Sequence, residues 1–377
     1  MKSVPNPFGS ACRWWQSCQR WLALIVVFAH AHGDVVAADA EVAERTPVFA
    51  ARDSLTAPRD SNPDSQACLN LLTWEPGEFV VRIDRAADRQ YDALVSFPSP
   101  RPSGDEVNDR VTMEWYEAQA DGADGDARRP AMVVIHESGS RMEAGRIFAR
   151  SFARKGLHAF LIHLPYYGER RQGGGRPEDA DFTVLVRQGI ADARRARDAV
   201  AALPEVDPSQ IAVQGTSLGG FVATLVGSLD DGYDAVFIML AGADFYDILQ
   251  TGQKDTAKLR EKFAQAGYEG ERLNELLRAV ECQRIAHRLN PQRTWMFSAR
   301  DDEVVPIRNA RLLASTANLE RSHQMEFPGG HYSIALFFPF VVDRVIEQFP
   351  LQTGETGNPW PPAPGLTHRR GSPRDSS

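Results

Sequence analysis

The sequence predicts an α/β protein: a mostly parallel central sheet flanked by helices on both faces. Two observations carry this. Short apolar, β-branched runs alternate with amphipathic helical patterns along the middle of the chain, as right-handed β-α-β crossovers require. One of these runs, "IAVQG" (Ile211–Gly215), passes through Gly215-Thr216-Ser217-Leu218-Gly219 directly into a small-residue helical pattern, so a serine sits at a strand-to-helix corner with a glycine on either side.

In chain order, Lys2, Arg13 and Arg20 precede the apolar run "WLALIVVFA" (Trp21–Ala29), and small residues follow. This reads as a secretory signal over 1–38, cut after Ala31 or Ala38, and the run is too short for a comfortable membrane span. No stable span is expected once the signal is removed. Residues 39–66 are polar and aperiodic and predict a flexible leader. The folded domain is expected over 67–350. "FVVRI", "YDALVSF" and "VTMEWYEA" read as antiparallel entry strands. "AMVVIH" (Ala131–His136) is the next strand, followed by a helix over "RIFARSFARKG" that stops at Gly156. "LHAFLIHL", "IAVQG", "DAVFIML", "TWMFSA" and "HQMEFP" continue the sheet. A long helix over "DFTVLVRQGIADARRARDAVAAL", one over "FVATLVGSL" and a closing one over "YSIALFFPFVVDRVIEQF" cover it. About 243–290 is a helical insertion, too long for a plain connection. It is either a surface helical pair or a cap over the site. The Pro-, Gly- and Ser-rich residues 351–377 predict a disordered tail.

The chain of 377 residues is 43% hydrophobic and 24% charged, with a formal net charge of −8. Nothing in that charge balance suggests a nucleic-acid partner, which would usually meet a basic face. Cys12 and Cys18 fall in the signal. Cys68 and Cys282 remain, as a disulfide in an oxidising compartment or as two buried thiols. No Cys/His cluster has zinc spacing and no Gly-x-Gly-x-x-Gly follows a strand, so no metal and no cofactor are expected. Composition leaves the oligomeric state open.

The corner at Ser217 has the context of a nucleophile elbow. Glycines suit positions 215 and 219 because the backbone there approaches its neighbours closely. A serine hydroxyl needs a base to take its proton, and the base needs an acid to orient it. The expected chain order is Ser, then Asp or Glu, then His. Downstream, "TWMFSA" ends in "RDDEVVP", and "FPGGHYS" places His331 behind two glycines after the last strand. No other histidine has that position. His158 and His163 bracket a strand, and His287 and His323 lie elsewhere. A histidine base predicts activity that rises with pH through the ordinary imidazole range.

These stretches, "GTSLGG", "ARDDEVVP", "GGHYS", "VVIHESGS" and "HLPYYGERR", resemble those of the α/β-hydrolases, in particular the dienelactone-hydrolase and carboxylesterase-like branch. The resemblance spans roughly Tyr91 to Phe349. It implies the acid four residues before Pro306, which is Asp302, with Asp301 as competitor and Glu303 more distant. It implies that His136 holds the oxyanion loop. The amide after the nucleophile, that of Leu218, is one oxyanion donor, and the resemblance makes Ser138 the other. Glu137 departs from the family's common His-Gly, and either pairs with an arginine such as Arg141 or points outward. Tyr166 and Tyr167 line the substrate pocket or belong to the core. Arg170 and Arg171 bind a substrate carboxylate or are solvated.

The expected function is that of an exported serine hydrolase, secreted or periplasmic, cleaving a small-molecule carboxylic ester through Ser217, His331 and Asp302. A peptidase, thioesterase, lactonase or acyltransferase with the same triad, or a non-catalytic binding protein of the same fold, are the alternatives.

Overall fold

A computed structural model describes residues 47–85, 90–119, 127–171 and 182–349. The expected signal, the first part of the leader and the tail lie outside the described residues.

The elements run β1 (Val48–Arg52), α1 (Pro63–Leu72), β2 (Glu78–Asp84), β3 (Ala93–Pro98), α2 (Glu106–Asp109), β4 (Arg110–Tyr116), β5 (Arg129–Ile135), α3 (Glu143–Arg154) and β6 (His158–Ile162). Then follow α4 (Phe182–Ala201), β7 (Val206–Thr216), α5 (Leu218–Leu229), β8 (Val236–Met239), α6 (Phe245–Thr251), α7 (Asp255–Gln265), α8 (Gly270–Arg278), β9 (Thr294–Ala299), α9 (Ile307–Thr316), β10 (Gln324–Phe327) and α10 (Phe338–Ile346). The strands form one sheet in the order β1-β2-β3-β4-β6-β5-β7-β8-β9-β10. The first four pair antiparallel, β4 is antiparallel to β6, and β6 through β10 are parallel to their neighbours.

Alternate residues of β5 serve opposite faces. Ala131, Val133 and Ile135 join the core cluster that also takes apolar residues of α1, α4, α5 and α9. Met132 and Val134 join the cluster fed by Phe148 and Phe152 of α3 and by Val341, Val342 and Val345 of α10. A strand buried on both sides has no polar face to show, which is why β5 to β8 read as continuous apolar runs.

The leader is not flexible throughout. From Val48 it forms the edge strand β1, paired with β2. Its polar residues are the partners of charges on α4. Asp53 accepts from Arg195 at 2.6 and 2.8 Å and from the Trp74 indole at 3.0 Å, and Ser54 donates to Asp198 at 2.6 Å. The helix α1 starts at Asn62, whose side chain accepts from the amides of Asp64 and Ser65, with Pro63 in the first turn. Pro at that position costs no hydrogen bond.

Cys68 and Cys282 are free, buried thiols rather than a disulfide. Burial pushes the Cys68 thiol up to about 11, which leaves it protonated and unreactive at neutral pH. Among the described residues no helix is long and apolar enough to cross a membrane.

The 243–290 region holds α6, α7 and α8. Leu249, Phe263, Leu273 and Leu277 form a small core of their own, against which Phe182 and Leu276 pack. Residues of α6 and α7 wall the cavity described next, so this part of the insertion is a cap. The α8 segment lies away from that cavity and lines a polar groove with α1.

Candidate active site

Ser217 stands between the end of β7 and the start of α5, with φ 54° and ψ −114°. Few non-glycine residues occupy such a conformation, and strain of this kind is held only where the surroundings over-determine it. Here the Ser217 amide is pinned to the Met239 carbonyl at 2.8 Å. A Cβ on Gly215 would lie 2.0 Å from the Gly219 carbonyl oxygen, and one on Gly219 would lie 2.1 Å from that of Ile135. No side chain fits at either position, so the two glycines are a steric necessity of the corner.

The three groups expected from the sequence meet. His331 Nε2 is 3.0 Å from Ser217 Oγ, and His331 Nδ1 is 2.7 Å from Asp302 Oδ2. The other carboxylate oxygen of Asp302 accepts from the amides of Val304 at 2.8 Å and Val305 at 2.9 Å. Both oxygens are thus occupied, and the carboxylate cannot swing away. Asp302 and His331 are 8% and 7% exposed. An ion pair or charged hydrogen bond in such surroundings is poorly screened.

Asp301 has a different task. Its amide donates to the Gly329 carbonyl at 3.0 Å and its carboxylate accepts from the Gly329 amide at 3.2 Å. It ties the acid loop to the turn that presents His331. Gly329 has φ 93°, which favours glycine. Glu303 pairs with Lys254 at 2.6 Å. The Tyr332 hydroxyl donates to Asp255 at 2.5 Å, so the start of α7 is strapped to the loops on both sides of the site.

His136 directly follows β5 and is fully buried. The Leu164 amide donates to its Nε2 at 3.2 Å, so Nδ1 carries the proton and donates to the Glu137 carbonyl at 2.6 Å. Burial lowers it to about 3, so the ring is neutral. Glu137 neither pairs with Arg141 nor points outward. Its carboxylate accepts from the amides of Ala144 and Gly145, both at 3.1 Å, at the N-terminus of α3. A carboxylate there satisfies unpaired donors and suits the helix dipole. Arg141 pairs with Glu143 instead.

The loop so fixed carries Ser138, whose carbonyl accepts from the Tyr167 hydroxyl at 3.0 Å. Leu218 is the first residue of α5, and its N–H has no acceptor within the helix. A cavity of about 620 Å3 is lined by Ser138, Ser217, Leu218 and His331 together with Phe245 and Ile248 of α6 and Leu259 of α7. Tyr166 and Tyr167 do not line it. They face a second cavity of about 330 Å3, which shares Ser138 and Leu218 with the first. Arg170 is neither a substrate ligand nor solvated. It is 0% exposed and pairs with Asp192 at 2.8 Å, with further bonds to the carbonyls of Asn108 and His163.

Two more groups near β4 and β6 are held away from their ordinary protonation. Burial lowers His158 to about 4, helped by Arg129. Burial alone would raise Glu114, but hydrogen bonds from His163, Arg146 and Tyr116 outweigh it and bring the carboxyl down to about 2. His136 and His158 are both depressed relative to 6.5, so the stability these two rings contribute is complete above pH 6.5. It is lost as pH falls toward 4 and then 3, at up to about 1.4 kcal/mol per pH unit for each group. The Glu114 contribution starts to fall only below 4.5. Urea unfolding is therefore expected to show a midpoint that drops steadily below pH 6.5. A midpoint unchanged down to pH 5 contradicts neutral burial of these rings.

No protein-family model and no curated protein sequence matches the chain. Among solved structures, the chain is similar to an acetyl xylan esterase from Paenibacillus sp. R4, with a TM-score of 0.56 at 17% identity, over 78% of this chain and 96% of that one. Acetyl xylan esterase 1 from Thermoanaerobacterium sp. JW/SL YS485 gives a TM-score of 0.54 at 16% identity, over 78% and 95%. With the strand order and the corner at Ser217, these likenesses establish that the chain has the α/β-hydrolase fold.

Proposed function

We propose that the protein is a serine hydrolase that cleaves a carboxylic ester of a small molecule. The observation that carries this reading is the hydrogen-bonded series Ser217 Oγ, His331, Asp302 at the wall of a cavity large enough for a substrate.

Ser217 Oγ attacks the ester carbonyl as His331 Nε2 takes its proton. Asp302 keeps the proton on Nδ1, so that Nε2 is free to accept, and then stabilises the imidazolium. The N–H groups of Leu218 and Ser138 hold the oxyanion. His331 returns the proton to the departing alkoxide, and the alcohol leaves. A water attacks the acyl-enzyme by the same steps, regenerating Ser217. The basic and apolar N-terminal stretch supports export to the periplasm or the exterior, and N-terminal sequencing of the exported form checks it.

The fold alone does not choose among esters, thioesters, lactones and peptides. The test is a panel of p-nitrophenyl acetate, an acyl thioester, a γ-lactone and a peptide p-nitroanilide on the purified protein. Ester hydrolysis is expected to have the highest kcat/KM and to be abolished by a fluorophosphonate. Turnover confined to the thioester or the peptide refutes the ester assignment.

A further inference from the structure

We infer that the 330 Å3 cavity beside the oxyanion loop is the acyl subsite, and that the substrate is an ester of a medium-length or aromatic apolar acid rather than of acetic acid. The inference rests on the serine-hydrolase reading and deepens it.

The tetrahedral carbon of the intermediate fixes the direction of each substituent. Once bonded to Ser217 Oγ, it carries an oxyanion, an alkoxy oxygen and an acyl carbon. The oxyanion faces the amides of Leu218 and Ser138. The alkoxy oxygen must lie within reach of His331 Nε2, because that atom protonates it. His331 lines the 620 Å3 cavity and not the smaller one. The leaving group therefore occupies the larger cavity, beneath α6 and α7. The remaining substituent is directed past the two residues common to both cavities, Ser138 and Leu218, into the smaller one.

That smaller cavity suits hydrocarbon. Its walls include Leu164, Pro165, Phe182, Leu185, Val186 and Val222. Arg171 is the one charged residue among the described residues lining it, and it is exposed. Gly189 keeps the floor open, since a Cβ there would already lie 3.3 Å from the Pro165 ring. Its helix, α4, is anchored by the buried Arg170–Asp192 and Arg195–Asp53 pairs, so the wall is preformed. An acetyl group would leave such a space unfilled. A longer chain buries its methylenes there, each giving roughly a fourfold gain in kcat/KM, the equivalent of about 0.8 kcal/mol.

The experiment compares p-nitrophenyl acetate and p-nitrophenyl hexanoate on the full-length protein and on Val186→Trp. The parent is expected to favour hexanoate by of order 10²-fold in kcat/KM. Val186→Trp fills the cavity and is expected to lower the hexanoate-to-acetate ratio at least tenfold. A ratio does not depend on the active fraction, so partial misfolding leaves the result readable, and Leu185→Trp provides an independent block. A parent that favours acetate, or a ratio that neither variant changes, overturns the acyl subsite while leaving the hydrolase reading intact. If the parent hydrolyses neither ester and Ser217 resists a fluorophosphonate, it is the hydrolase reading that fails.

Discussion

Replacing Ser217 with alanine is expected to lower kcat for p-nitrophenyl acetate by roughly 10⁴- to 10⁶-fold, because triad members act as a unit and removing one removes most of the chemistry. The fold should survive. The Ser217 hydroxyl has one hydrogen-bond partner in the site, His331, and that ring stays held by Asp302. Alanine must still adopt φ 54°, and serine already bears that strain. The corner is imposed by Gly215, Gly219 and the Met239 carbonyl rather than by the hydroxyl. A variant that keeps more than a few per cent of parental turnover would place the nucleophile elsewhere. Circular dichroism and a thermal melt on the same sample check that the loss is chemical.

The second large effect is expected at Asp302. In Asp302→Asn the side-chain oxygen can keep the amides of Val304 and Val305, which turns the new NH2 group toward His331 Nδ1. That nitrogen must then accept, so the ring proton moves to Nε2 and points at Ser217. A base that already carries its proton cannot take another, and a loss of roughly 10⁴-fold in kcat is expected. Asp301→Asn should cost far less, since an amide oxygen can still accept from the Gly329 N–H. The pair of variants separates two adjacent carboxylates that sequence reasoning could only rank. Equal losses would mean that the acid is misassigned.

The juxtaposition of Ser217, His331 and Asp302 is more legible in the sequence than the scaffold around it, for a physical reason. The corner at Ser217 is a local constraint. Two glycines, a strand before and a helix after are all within a dozen residues. The loops bearing Asp302 and His331 are likewise marked by neighbours, Pro306 in one case and Gly329-Gly330 in the other. What was not legible depends on distant partners. Asp53 and Ser54 look like solvated leader residues until Arg195 and Asp198 of α4 are seen bonded to them. Arg170 looks like a solvated loop charge until Asp192 is seen beneath it. The partners of Glu137 are backbone amides of α3, which carry no side-chain signature, so the sequence offers it only an arginine or solvent. The start of α1 is legible even within the stretch expected to be a flexible leader, since Asn62 followed by Pro63 and Asp64 is a helix-start pattern. Nothing in the sequence assigns Tyr166 and Tyr167 to the second cavity rather than to the one that Ser217 and His331 line.

The cap follows the same division. The 243–290 insertion was recognisable by length, and its helices by their periodicity. Whether it covers the site depends on contacts that the sequence does not encode locally, such as Tyr332 with Asp255 and Lys254 with Glu303.

One hydroxyl, that of Ser217, is expected to be made nucleophilic by His331 and to become acylated during turnover. The most direct test is a rapid acid quench during hydrolysis of p-nitrophenyl hexanoate, followed by peptide mass mapping. A hexanoyl adduct is expected on the peptide containing Ser217, absent in Ser217→Ala and, in His331→Ala, formed slowly or not at all. Turnover with no adduct on that peptide, or an adduct on another residue, would contradict it.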